Sequence, residues 1–279
     1  MTRISETMAI CVNERTAIAA FNAPGFDAMV GIGRAAFKAG SPAIIQVSAR
    51  LVKKHGAPTI KAWYNAALYI TGASCFLHLD HCDDEDLIGA CIDAGWDMVM
   101  FDGSHLPIEE NCARTARVVQ MAHSAGVAVE GEIGLVGGEE DGNKTEANIA
   151  RSDDIVKLST QTGIDCIAVG FGNLHGDYQG TTHLRWDVYE GAHSLSRLPL
   201  VLHGGSGLSD FEFCRAIRAG TAKINISTEL KKAYAAVAAD SELCAGLNKD
   251  PASLHYRLEE AVHKVAYRFI TLFAQKNRG

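Results

Sequence analysis

Three histidines carry the strongest chemical signal in this sequence: His81 in HLDH, His175 in LHGDY and His203 in LHGGSG. Each ends a different short apolar run, and each has a carboxylate or a glycine beside it. Neutral imidazoles converging from three elements hold a metal and leave a fourth position open, which is how catalytic zinc is bound. A lone histidine is more often a satisfied core residue, but three at equivalent places are not explained that way. His78, inside the run that precedes His81, reads as packing. His55, His105, His123, His183, His193, His255 and His263 read as surface residues.

Glycines follow two of the three. Gly204-Gly205-Ser206-Gly207 and Gly176 can present consecutive backbone N–H groups as a concave anion site. Together with Asn225-Ile226-Ser227-Thr228 they suit a phosphate. The acidic run Gly137-Gly138-Glu139-Glu140-Asp141-Gly142 has glycines at both ends, as a loop that closes over a site would.

Such residues need a frame that brings them to one place. Short apolar runs recur at Ala17–Phe21, Ala43–Val47, Cys75–Leu79, Met98–Phe101, Val127–Glu130, Cys166–Val169, Leu198–Leu202 and Ala222–Ile226. They lack strict alternation, as strands buried on both faces do. Between them lie helical patterns such as Asp84–Ala94, Ile108–Ala125, Ser152–Thr162 and Asp210–Ala219. Several stop at glycine (Gly40, Gly95, Gly126, Gly163, Gly220), and Ser152 and Ser209 read as N-caps. Eight strand–helix units predict an α/β chain: one (β/α)8 TIM barrel as a single domain over residues 1–279, with a C-terminal helical extension after about Glu229. A doubly wound sheet is the competing fold, but no G-x-G-x-x-G follows the first strand. The strand ends carry Asn22, Ser48 and Arg50, Asp80 and His81, Asp102, Glu130 and Glu132, Gly172 to His175, His203, and Asn225. Polar groups at nearly every end define the functional face of a barrel.

Composition narrows the classes. The 279 residues are 47% hydrophobic and 21% charged, with a net charge of −7 and no basic run. Nucleic acid therefore has no electrostatic footprint here. No apolar stretch suits a membrane span, and the first twenty residues lack a signal-peptide pattern, so a cytoplasmic protein is expected. The eight cysteines show no CxxC and read as free thiols, with Cys82 the one whose neighbours invite scrutiny.

The blocks AFNAPGF, SPAIIQVS, HLDH, MFDGSHLPIEEN, VEGEIGLVGGEEDG, HGDYQG, PLVLHGGSG and KINISTEL resemble class II fructose-bisphosphate and tagatose-bisphosphate aldolases, in order, from about Ala19 to Leu230. The resemblance implies zinc on His81, His175 and His203, with Asp102 and Glu132 lining an alternative, inward metal position. It implies that Asp80 protonates the aldehyde oxygen in condensation. Glu140 would be the base that takes a proton from the hydroxymethyl carbon of dihydroxyacetone phosphate. Asn22, Gly176, Gly204, Ser206, Asn225, Ser227 and Thr228 would contact phosphate and triose, with a monovalent cation (Na+ or K+) nearby. The partner is a sugar phosphate, and the assembly a homodimer or homotetramer.

The sequence also departs from that family. An arginine that grips a second phosphate in many members corresponds here to Ala252 in Asp250-Pro251-Ala252. Pro24-Gly25 replaces a polar pair after the first strand, and Ser48-Ala49-Arg50 replaces a small S-x-G. Arg50 could enter the mouth and meet a carboxylate or another planar anion. Retro-aldol cleavage of a ketose phosphate with a distal end that need not carry phosphate is the expected reaction. Its rivals are a fructose- or tagatose-1,6-bisphosphate aldolase proper, a Schiff-base aldolase using Lys223, and an inactive barrel that only binds sugar phosphates.

Overall fold

The computed structural model describes residues 2–276 except 141, 142, 146, 176–183 and 248; for 139, 140 and 143–145 it describes the backbone alone. Eight parallel strands close into a barrel: β1 Ile18–Asn22, β2 Ala43–Ser48, β3 Cys75–Asp80, β4 Met98–Phe101, β5 Ala128–Ile133, β6 Cys166–Val169, β7 Leu200–Leu202 and β8 Thr221–Ile226. β8 pairs with β1 and completes the ring, with Ala20 opposite Asn225. The expected strands are all present; two keep their expected bounds and the ends of the others move by at most three residues. The largest change is in β5, which runs on to Ile133 and so carries Glu132 inside the strand.

Strand alternation sorts the side chains. Ile45, Val47, Leu77 and Leu79 face outward into the core shared with the helices. Ile44, Phe76 and Ala128 point into the lumen and build an apolar floor. Two and four residues further along the same strands come Gln46 and Ser48, His78 and Asp80, Glu130 and Glu132. The lumen therefore changes from apolar to polar along its length. A helix absent from the sequence reading, Arg3–Glu14, seals the floor with Ile4 and Met8, both buried.

The helices stop largely as expected. Gly40 and Gly163 are C-caps themselves, while Gly95, Gly126 and Gly220 follow a capping residue in the left-handed region. Ser209 and Glu212 form a reciprocal capping box. Ser152 is a correction: it is the first helical residue, and Arg151 takes the cap position. The tail forms three helices, Thr228–Ala238, Ser241–Gly246 and Ala252–Ala274. The last helix packs on Phe26–Ala39, where Gly31 allows contact so close that a Cβ would come within 2.7 Å of the Glu259 carbonyl. All eight cysteines are free; Cys82 is buried, and burial pushes its thiol up to about 11, so it is a core side chain. His193, His263 and His55 are half-buried rather than surface residues, His193 because its Nδ1 bonds the Leu198 carbonyl at 2.8 Å.

Candidate active site

His81 follows β3 directly and His203 follows β7 directly. His175 stands off the barrel, on a two-residue strand, Leu174–His175, of a separate three-stranded sheet. The acidic segment, expected as a loop, supplies the rest of that sheet as a hairpin of Gly137–Glu140 with Asn143–Thr145. Gly138 pairs with His175 so closely (φ 99°) that a Cβ would fall 2.2 Å from the His175 carbonyl oxygen, so only glycine fits. The backbone carrying Glu139 and Glu140 is thus tied to the histidine strand. The Glu140 side chain and Gly176 lie outside the described residues.

One donor atom from each of His81, His175 and His203 lies within 4.8 Å of the others, and the His81 and His203 ring centroids are 4.6 Å apart. A second set, His81, Asp102 and Glu132, meets the same criterion. Carboxylates set the ring orientations. His81 Nδ1 faces Asp102 Oδ2 at 2.7 Å, and Asp102 is fixed in turn by the Ser104 hydroxyl. His203 Nε2 faces Glu130 Oε1 at 2.8 Å. With those nitrogens donating, the opposite nitrogens, His81 Nε2 and His203 Nδ1, are the atoms that would bind a metal, which on His203 would take the place of the Nδ1 proton; this is the usual outer-sphere device of metal-binding histidines. His81 holds φ 41°, a left-handed value that costs a non-glycine residue energy.

The donor set fits a divalent ion. His203 Nδ1 and Glu132 Oε2 lie 3.0 Å apart, both buried, yet neither has an aligned hydrogen-bond partner. Burial, followed by the positive charges of His81 and His203, pushes His175 well below the ordinary histidine range, leaving it neutral as a ligand must be. Burial opposes a charge on His203 too, but Glu130 and Glu132 outweigh it and raise it to about 9.

Asp80 sits beside this cluster at the end of β3. Burial opposes its ionisation, but His81, Lys223, His78 and His203 hold it below the usual carboxylate range. Its oxygens accept from Asn22 at 2.7 Å, Gln46 at 3.0 Å and Asn225 at 3.3 Å. Across the mouth, Gly204 (φ 63°) lies so close to Leu174 that a Cβ would come within 2.5 Å of its carbonyl. Ser227 begins the helix Thr228–Ala238 with a buried hydroxyl that has no partner. That half-buried helix start and the Gly204–Gly207 turn can accept an anion. Ser206 instead gives its hydroxyl to Glu229 at 2.9 Å. Arg50 lies in Ala49–His55 after β2, on a cavity that Asn22 and Ser48 also line.

Sequence reasoning missed Gln46 and gave Glu130 and Asn173, which it placed at strand ends, no role. Gln46 donates to both Asn22 and Asp80. Glu130 joins His203 to Lys223, whose Nζ lies 2.9 Å from Glu130 Oε2. That buried contact occupies the lysine nitrogen and argues against imine chemistry there. Asn173 donates to the His203 carbonyl at 2.8 Å and positions the histidine backbone. The available signal was period two: Gln46, Glu130 and Lys223 each stand two residues before a polar strand-end residue on the same face.

A closed parallel barrel with a histidine–carboxylate cluster at its C-terminal mouth defines a barrel protein with groups that could hold a metal ion. Residues 2–278 match the family described as fructose-bisphosphate aldolase class-II. The chain is 40% identical over 223 residues to a Streptococcus pyogenes fructose-bisphosphate aldolase, covering 78% of this chain and 75% of the relative. It is also 40% identical to the 6-phospho-5-dehydro-2-deoxy-D-gluconate aldolase of Bacillus subtilis, over 79% of this chain and 77% of the relative. The crystal structure of the YdjI aldolase from Escherichia coli K12 superposes with a TM-score of 0.85 at 28% identity, covering 99% of this chain and 98% of the other. The chain belongs to the class-II fructose-bisphosphate aldolase family. It is an aldolase, a carbon–carbon lyase.

Proposed function

We propose that the protein cleaves a ketose phosphate reversibly to dihydroxyacetone phosphate and an aldehyde, with zinc held by His81, His175 and His203. The observation that carries this reading is the convergence of the three imidazoles beside Asp80, with neutral His175 and with His203 Nδ1 and Glu132 Oε2 buried without an aligned hydrogen bond. Zinc bound there would act as a Lewis acid on the ketone and stabilise the charge that bond cleavage leaves on it. In cleavage, Asp80, ionised at neutral pH, accepts the proton of the hydroxyl that becomes the aldehyde oxygen. Glu140 then returns a proton to the carbon released; in condensation both transfers reverse. Asp102 and Glu132, with His81, would hold the ion at an alternative, inward position. Gly204, Asn225, Ser227, Thr228 and Gly176 hold the phosphate, and Asn22 the triose.

The reading includes a homodimer or homotetramer in the cytoplasm. Exposed Phe37, Tyr69 and Ile70 support a contact with a second copy, and the unpaired cysteines support a reducing compartment. Among the described residues no helix is long and apolar enough to cross a membrane.

Chelation should abolish cleavage, and His203→Ala should lower metal content and turnover together. Full activity in a preparation shown to be metal-free by elemental analysis overturns the mechanism.

A further inference from the structure

Asn173 stands between the end of β6 and the strand Leu174–His175, in the run Gly170-Phe171-Gly172-Asn173. It is 1% exposed, and a buried amide is costly unless its polar atoms are bonded. Here each of them makes a bond. Its Oδ1 accepts the Phe171 N–H at 2.9 Å, closing a turn over Gly172 (φ 93°). Its Nδ2 donates to the His203 carbonyl at 2.8 Å. A third bond comes from the main chain, where the Asn173 carbonyl accepts the Gly137 N–H at 3.2 Å.

Those bonds reach three parts of the site. Phe171 follows β6, His203 follows β7, and Gly137 opens the hairpin whose backbone carries Glu139 and Glu140. The next two residues, Leu174 and His175, pair with Gly137 and Gly138. The sheet they build is separate from the barrel, so barrel register does not fix its place. The bond from Asn173 to the His203 carbonyl ties that sheet to the end of β7. One side chain therefore links two of the three imidazoles with the acidic hairpin.

We infer that Asn173 is a positioning residue: its side chain sets the spacing of His175 and the hairpin backbone from His203, and so tunes metal binding and proton transfer together. The inference rests on the roles proposed above for zinc and Glu140. A residue that only filled space here would serve as well as leucine, which has nearly the same shape. An amide adds direction, because one planar group holds an acceptor toward Phe171 and a donor toward His203.

Two variants separate the bonds. Asn173→Ala removes both side-chain bonds, whereas Asn173→Asp keeps the acceptor for Phe171 and loses the donor to His203 at nearly constant size. Zinc affinity is read without substrate, by competition with a chromogenic chelator. In Asn173→Ala it should fall by about 10–100-fold, the usual effect of losing an outer-sphere partner. Met8→Ala, which opens a cavity in the floor, should lose stability yet keep wild-type affinity. Asn173→Asp, saturated with zinc, should slow solvent exchange of the dihydroxyacetone phosphate proton by about tenfold or more, because the base is displaced. Wild-type zinc affinity in Asn173→Ala, or wild-type exchange in Asn173→Asp, overturns the positioning role. An equal loss of affinity in Met8→Ala, or failure of both Asn173 variants to fold, also overturns it by assigning the residue to stability alone. A wild-type protein that binds no zinc or exchanges no proton overturns the zinc and Glu140 reading itself.

Discussion

The two ends of the barrel lumen follow opposite rules. At the floor, Ile18, Ala20, Ile44, Phe76, Met98 and Met8 form an apolar plug that includes no buried polar atom without a partner. At the mouth, Gln46, His78, Asp80, Glu130, Glu132, His203, Lys223 and Asn225 are all buried. Atoms without an aligned hydrogen bond gather there: Gln46 Oε1, both His78 ring nitrogens, Glu132 Oε2, His203 Nδ1, Asn225 Oδ1 and Ser227 Oγ, of which Glu132 Oε2 and His203 Nδ1 face each other at 3.0 Å. A buried polar group without a partner costs about 1–3 kcal/mol, so the mouth carries a concentrated penalty that the floor avoids. The difference separates what holds the barrel together from what waits for ligand.

If that division is right, changes at the mouth should remove chemistry step by step while the fold stands. Glu140→Ala should slow solvent exchange of the dihydroxyacetone phosphate proton by roughly 10²–10⁴-fold, the usual contribution of a general base, with zinc retained. Asp80→Ala should spare that exchange and block cleavage, because Asp80 serves the aldehyde half. Exchange unaffected by Glu140→Ala would move the base elsewhere, with Glu139 the first place to look.

The comparison sharpens in stability. Lys223→Met strands Glu130 as a buried charge beside His203 and should cost about 3–5 kcal/mol. Met8→Ala, at the fully buried floor, should cost about 2–5 kcal/mol by leaving a cavity, with kcat unchanged. Similar losses, different remedies. Adding Glu130→Leu to Lys223→Met should restore much of the stability but not the turnover, because His203 loses the carboxylate that orients it. Denaturant titrations with parallel activity assays decide the matter; recovered activity in the double variant would make the network structural alone.

The fold was largely legible, because both-face-buried strands and glycine-stopped helices leave strong local patterns. So were His81, His203 and Asp80, each standing at a strand end. What escaped depends on long-range register. Nothing local marks Arg3–Glu14 as a plug, since its partners lie on every side of the barrel. The acidic run read as a loop because both its strand partners are very short, Asn143–Thr145 and the two-residue Leu174–His175, and the second lies more than thirty residues away. Gln46 was hidden within an apolar run, although a polar residue on the lumen face is the kind of exception that marks a site.

Gln46 also yields the smallest predicted effect and the sharpest one. Its Nε2 donates to Asp80 Oδ2 at 3.0 Å, and a donor to a carboxylate stabilises the charged form. Gln46→Met removes that donor at nearly constant volume, so the pKa of Asp80 must rise. Cleavage needs the carboxylate to accept the hydroxyl proton, so the acid limb of kcat/KM against pH should move to higher pH. A hydrogen bond to a charged group carries roughly 1.5–3 kcal/mol, and one pKa unit corresponds to about 1.4 kcal/mol. Asn22 and Asn225 still donate, so a shift of about one unit is expected. The group starts below the usual carboxylate range, and such a shift leaves it mostly ionised at neutral pH. The rate at pH 7.5 should therefore change little, with the effect appearing only in acid. Proton exchange into dihydroxyacetone phosphate, which does not use Asp80, should keep its own pH profile. An acid limb that stays put for cleavage, or moves equally for exchange, would show that Asp80 is not the group titrating in the cleavage step.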